Sequence, residues 1–163
     1  MKKYQNIVIA LIIISAFSSC KVTENKSKKT TVNTLSFVKT KGTQLVDANG
    51  NPIILKGTNL GHWLVPEGYM FKMNQVNAPR KIDEMLYELV GPDSLQVFWK
   101  GFLNNYITHD DIKYLKSIGS NHIRLPFHYK MFTDDLYMGE RNAGFKYFDR
   151  LLDWCRQEKM YVL

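Results

Sequence analysis

Strands that alternate with helices and close on a third strand predict an α/β fold built from parallel βα units. Three observations carry that expectation. The 163-residue chain is 45% hydrophobic and 23% charged, the balance of one globular domain rather than a disordered or disulfide-rich chain. Apolar residues recur at three- and four-residue spacing in several segments between Ile82 and Cys155. Two short segments that read as strands, 121–127 and 161–163, each follow such a helical segment, as parallel strands joined by crossovers must.

The first element is a leader. Lys2 and Lys3 precede a continuous apolar run over 7–14, extended by Ser15, Ala16 and Phe17. That run is much shorter than the ~20 residues of a bilayer-spanning helix and suits the hydrophobic region of a signal peptide. Phe17-Ser18-Ser19-Cys20 resembles the lipobox of bacterial lipoproteins, although Phe17 stands where leucine is usual. The resemblance implies a lipoprotein signal peptide over 1–19 and lipid attachment at Cys20. The alternative is an ordinary secretory signal whose cysteine is incidental. Residues 21–34 hold only Lys, Thr, Glu, Asn, Ser and Val, too little apolar surface to offset ordering entropy, so 20–34 is expected to be a flexible tether. Lys21, rather than Asp, follows the cysteine. By resemblance to Gram-negative lipoproteins this implies the bacterial cell envelope, at the outer membrane or cell surface, with the membrane engaged through the lipid alone. Secretion is the alternative.

The folded part is expected over 35–163. Gln44-Leu45-Val46 and Ile53-Ile54-Leu55 flank Asn49-Gly50, which predicts a β-hairpin. An irregular stretch rich in aromatics follows Gly57 and runs to Asn77, broken by Pro66 and Gly68. Ile82, Met85, Leu86 and Leu89 predict a helix with Asn77 as cap and Gly91 as terminator. A second helix starts near Asp93 and carries Leu95, Phe98, Phe102 and Leu103. Thr108-x-x-Asp111 reads as a capping box ahead of Ile112, Leu115 and Ile118, with Gly119 at the helix exit. Residues 121–127 form a strand. Phe145, Phe148, Leu151, Leu152 and Cys155 predict a helical stripe ending near Met160, and 161–163 opens the next strand. A third parallel strand with no further partner implies a domain that is cut short.

Net charge is +7, lowered by two once Lys2 and Lys3 are set aside. The charges are interspersed, with no extended basic stripe of the kind phosphate backbones require, so no nucleic acid is expected as a partner. Two cysteines cannot build a disulfide framework, and Cys155 reads as a buried free thiol. No His, Cys or carboxylate pair has metal-ligand spacing, and no cofactor is expected.

In parallel βα architectures ligands meet residues just past the carboxyl ends of strands. Segments 56–69 and 121–129 occupy that position. They bring one carboxylate (Glu67), one guanidinium (Arg124), several aromatics including Tyr69, and imidazole donors. Sugar recognition uses this mixture, because rings lie on apolar C–H faces while charged forks hydrogen-bond hydroxyl pairs.

The motifs Leu55-Lys56-Gly57-Thr58-Asn59-Leu60-Gly61-His62-Trp63-Leu64, with Glu67 beyond, and Ile123-Arg124-Leu125-Pro126 resemble glycoside hydrolase family 5. These are cellulase-like retaining β-glycosidases, and the likeness is strongest to their exo-β-1,3-glucanase branch. The resemblance runs from about Phe37 to Leu163. It implies the N-terminal part of a (β/α)8 TIM barrel, ending at about strand 3 and preceded by the hairpin. Arg124 matches the strand-2 arginine that holds the nucleophilic glutamate ionised; a structural ion pair is the alternative. Glu67 matches a carboxylate gripping the non-reducing-end sugar, and Tyr69 an aromatic of the same pocket; a solvated loop glutamate and a packed tyrosine are the alternatives. Asn59 and Trp63 are expected to shape the loop. His62 and His128 stand where glycine is usual, which leaves the linkage cleaved open. His109 and His122 read as structural.

Retaining glycosidases need two carboxylates about 5–5.5 Å apart. The resemblance implies glutamates after strands 4 and 7, so no catalytic residue is expected in this chain. A whole barrel takes about 250 residues, against 163 here. The function expected is that of an N-terminal portion of a β-glucan-hydrolysing glycosidase, inactive alone. The alternative is a non-catalytic glycan-binding envelope lipoprotein.

Overall fold

The computed structural model describes residues 35–163, Asn74 excepted. The leader, Cys20 and the tether lie outside the described residues. No described helix is long and apolar enough to cross a membrane.

A hairpin opens the described part, though not between the strands expected. β1 (Lys39–Lys41) pairs antiparallel with β2 (Gln44–Val46) around Gly42, whose φ of +59° suits glycine. The Asn49-Gly50 turn does form. The Asp47 carboxylate accepts the Asn49 and Asn51 N–H groups at 2.8 and 2.9 Å. Beyond it the pairing stops after a bridge from Val46 to Pro52 and a bond from Ile53 N–H to the Leu45 carbonyl. Proline has no N–H for the ladder, so no strand develops over 53–55.

The central sheet is parallel, in the order β3 (Gly57–Asn59), β4 (His122–Arg124), β7 (Tyr161–Val162). Gly57 starts it because a Cβ there would overlap the His122 carbonyl. Register sets Asn59 beside Arg124, and Leu60 N–H continues the ladder to the Arg124 carbonyl at 2.9 Å. Ile123 and Leu125 are buried against the helices, while Arg124 lies on the opposite face and is exposed. This is the period-2 alternation of a strand.

The helices follow the expected order with altered boundaries and faces. α1 (Pro79–Asn105) starts at Ala78 rather than Asn77, with Pro79 in the first turn, where a missing N–H costs nothing. Gly91, at φ +77° and ψ 168°, breaks its helical path ahead of Pro92, so the two expected helices meet at a kink. Ile82 and Leu86 are buried, but Met85 and Leu89 are exposed. α2 (His109–Ser117) carries the Thr108/Asp111 capping box. It ends in a Schellman motif, with Gly119 and Ser120 N–H groups returning to Lys116 and Leu115. Of its expected apolar face, Ile112 is buried and Ile118 exposed.

α3 (Gly144–Gln157) buries Tyr147, Leu151 and Cys155, and leaves Phe145 and Leu152 exposed. Its register is rotated from the expected stripe because Gly144 packs so tightly under Phe132 that a Cβ would collide. Arg150 then reaches into the core. Its guanidinium donates to the Leu103 carbonyl at 2.8 Å and to Asn104 Oδ1 at 3.0 Å, and it lies between the rings of Trp63, Tyr147 and Trp154. The Trp63 indole donates to the same Leu103 carbonyl at 2.9 Å. This joint locks α1, α3 and the loop after β3 together.

A second hairpin, β5 (Leu136–Tyr137) with β6 (Glu140–Arg141), was not legible in the sequence. Its turn residues Met138 and Gly139 both have positive φ, and Gly139 packs on α1 beside Trp99.

Candidate functional site

A cleft of about 400 Å³ opens at the carboxyl ends of β3 and β4. Asn59, Glu67, Tyr69, Tyr106, Arg124 and Pro126 are among its lining residues. The structure thus brings the expected Glu67, Tyr69 and Arg124 to one cavity. Asn59 lines it too. Trp63 is fully buried in the core, in keeping with a loop-shaping part.

Local chemistry explains how Glu67 is held there. His62 is 2% exposed and adopts φ +67°, a left-handed conformation uncommon for a non-glycine residue. Its Nδ1 accepts the Glu67 backbone N–H at 2.9 Å, closing the loop between them. Phe71, Phe102 and Tyr106 pack their rings against the imidazole, with centroids 4.2, 5.2 and 5.3 Å away. Burial lowers the His62 pKa, with the Glu67 charge opposing in part. The ring is therefore neutral, with its proton on Nε2. A 3-10 turn, Gly68–Phe71, starts directly after Glu67. Gly68 passes beneath the Val76 carbonyl, where no Cβ fits, and a Cβ on Gly61 would stand 3.1 Å from the Glu67 carboxylate. Both glycines leave room for this loop.

Arg124 and Glu67 line the same cleft without closing on each other. Neither has an ion-pair partner within 4.0 Å among the described residues. Arg124 is therefore not engaged in a structural ion pair there, and both charges are free for a ligand. Tyr106 was missed by sequence reasoning, since nothing in its spacing separates it from a core aromatic. Its phenol pKa is raised by burial first, then by Glu67 and Tyr69. It remains a neutral hydroxyl, able to donate or accept. The cleft offers carboxylate acceptors, guanidinium donors, phenol hydroxyls and ring faces, the set that binds a neutral polyol. Among the described residues Glu67 is its one lining carboxylate, one short of the two-carboxylate pair of glycoside hydrolysis.

The other histidines separate by environment. His109 Nε2 meets Glu158 Oε1 at 2.9 Å, tying the start of α2 to the end of α3. His122 lies within β4. His128 stacks between Tyr129 and Tyr137 outside the cleft.

No family model matches the chain. It is 34% identical over 130 residues to a beta-xylosidase of Phanerodontia chrysosporium, covering 79% of this chain and 27% of the relative. It is 40% identical over 63 residues to endoglucanase C of Acetivibrio thermocellus, covering 38% of this chain and 18% of that protein. It is 29% identical over 122 residues to a probable glucan 1,3-beta-glucosidase A of Aspergillus fumigatus, covering 72% and 28%. The chain thus spans about a quarter of the length of the curated relatives it matches. Among solved structures, AoRut superposes with a TM-score of 0.53 at 23% identity, over 66% of this chain and 31% of that one, which shows a shared fold. By sequence, then, the chain is similar to a part of several proteins that carry glycosidase names.

Proposed function

We propose that this chain is the sugar-gripping first part of a cellulase-like retaining glycosidase of family 5 that acts on β-glucans. The observation that carries the reading is the cleft in which Glu67 and Arg124 stand as unpaired opposite charges beside Tyr69 and Tyr106. In this reading Glu67 and Tyr69 hold the hydroxyls and face of a terminal sugar. Arg124 keeps the nucleophilic carboxylate ionised by its positive charge. The nucleophile and the acid/base are supplied from outside these residues, on later strands of a TIM barrel. In this reading those strands would add beside β7, the last in the order β3-β4-β7. The relatives' glycosidase names support the reaction class.

The reading extends to location. Cys20 would carry the lipid, residues 1–19 would be removed, and 20–34 would tether the domain to the bacterial envelope, at the outer membrane or cell surface. Loss of radiolabelled palmitate incorporation in Cys20→Ser is the expected result; unchanged membrane retention of that variant would contradict the anchor.

Testing the activity requires the protein encoded by the complete reading frame. It is expected to release reducing ends from a β-1,3-, β-1,4- or β-1,6-glucan, whereas residues 1–163 alone release none. Hydrolysis by the short chain would overturn the placement of the catalytic carboxylates. Saturable binding without hydrolysis by the complete protein would favour a non-catalytic glycan-binding lipoprotein.

A further inference from the structure

A second cavity, of about 530 Å³, lies between the start of α1 and the loop after β4. Asp83, Glu84, His128, Tyr129, Lys130 and Tyr137 line it. Three observations set it apart from an ordinary surface groove. Tyr137 is 8% exposed and its buried hydroxyl has no hydrogen-bond partner among the described residues. A buried hydroxyl is almost always satisfied, so an orphan beside a cavity marks a place for a ligand group. Tyr129, His128 and Tyr137 form one stack, with centroids 4.7 Å apart at each step, and the Tyr129 end is 64% exposed. Finally, the surroundings are fixed. Asp83 Oδ1 accepts the Trp99 indole N–H at 2.7 Å, and the β5–β6 turn rests on α1 through Gly139 beside that same Trp99.

We propose that this cavity is an accessory carbohydrate site that binds a stretch of β-glucan away from the Glu67–Arg124 cleft. Tyr129 supplies the exposed ring on which a sugar face lies. The Tyr137 hydroxyl and the Asp83 carboxylate take hydroxyls of the same residue. His128 contributes a donor: its Nδ1 accepts Lys130 N–H at 3.3 Å, which leaves the proton on Nε2. Both signs of charge line the cavity in equal number, Asp83 and Glu84 with Arg80 and Lys130, which suits a neutral polyol rather than an anion. Arg124 ends β4 and Tyr129 opens the turn that follows it, five positions on. The ligand class rests on the β-glucan reading above; the location does not.

The test is a ¹H–¹⁵N NMR titration of the 163-residue chain with laminaritetraose and with cellotetraose. The Trp99 indole N–H reports the accessory cavity through Asp83, whereas the Trp63 indole, bonded to Leu103, serves as an internal reference. A saturable shift of the Trp99 signal is expected, weakened about tenfold or more in Tyr129→Ala. Tyr137→Phe is expected to weaken binding while raising the melting temperature, because it deletes a buried hydroxyl that has no partner. A Trp99 signal that does not move, or that moves equally in both variants, overturns the accessory site and leaves only a water-filled groove. If Arg124 and Tyr106 signals shift while Trp99 does not, the accessory site fails and the cleft reading stands. If Trp99 shifts while they do not, the accessory site stands and the cleft reading fails.

Discussion

The Glu67 backbone N–H donates to Nδ1 of His62 at 2.9 Å, so a buried neutral imidazole sets the place of a carboxylate that lines the cleft. The bond depends on Nδ1 keeping its lone pair. Protonation would turn that nitrogen into a donor facing another donor, with three aromatic rings packed around the charge.

That relationship makes stability pH-dependent with a defined sign. The His62 pKa is lowered by burial from 6.5, so below about 6.5 the unfolded chain binds a proton that the folded chain resists. Stability is expected to be full above that value and to fall as acidification proceeds through it toward the lowered folded pKa. His128, lowered by burial and by Lys130, acts in the same direction. Thermal melts between pH 8 and pH 5 should show the loss, and His62→Asn should flatten it. Asparagine tolerates the left-handed backbone and keeps an acceptor. His62→Ala is expected to cost about 1–3 kcal/mol by orphaning the Glu67 N–H. An unchanged pH slope in His62→Asn would contradict this account.

Arg150 is expected to matter more than a surface arginine. Removing it leaves the Leu103 carbonyl with the Trp63 indole alone and empties the space between three rings. Arg150→Ala should destabilise by about 2–4 kcal/mol, from lost charge-assisted bonds and lost packing. Arg150→Lys should recover less than half, since an ammonium lacks the planar fork. Urea unfolding of the three proteins measures both values; full recovery by lysine would show that only the charge counts.

Cys155 is 1% exposed and burial pushes its thiol up to about 12. Because the thiolate is the reactive form, the folded protein should leave this cysteine unmodified by Ellman's reagent at pH 8 for as long as it stays folded. Release of one equivalent should follow on adding denaturant to a Cys20→Ser chain. Rapid labelling without denaturant would place the thiol at the surface.

These outcomes also mark what a sequence exposes. The Thr108/Asp111 box, the Gly119 exit and the strands β4 and β7 rest on local chemistry and periodicity and were legible, whereas β3 was not. The first strand was expected at 53–55 and the chain after Gly57 as irregular, yet the sheet starts at Gly57, where only glycine fits against the His122 carbonyl. The convergence of Glu67, Tyr69 and Arg124 was legible because strand ends in a parallel sheet share one side. Helix faces were read less well. Phe145 and Leu152 looked like core, yet the contact of Gly144 with Phe132 rotates α3 so that Tyr147 faces inward. Tyr106 and the β5–β6 hairpin escaped notice for a related reason: each is placed by packing against α1 or its exit, not by a pattern of its own.

The central claim is that Arg124 serves a carboxylate supplied from outside these residues. The most direct measurement is steady-state kinetics of Arg124→Ala in the protein from the complete reading frame, on the β-glucan it hydrolyses. The account predicts kcat lowered about a hundredfold or more with KM within about threefold, the mark of an interaction made in the transition state. A kcat equal to wild type, or a loss confined to KM, would contradict it.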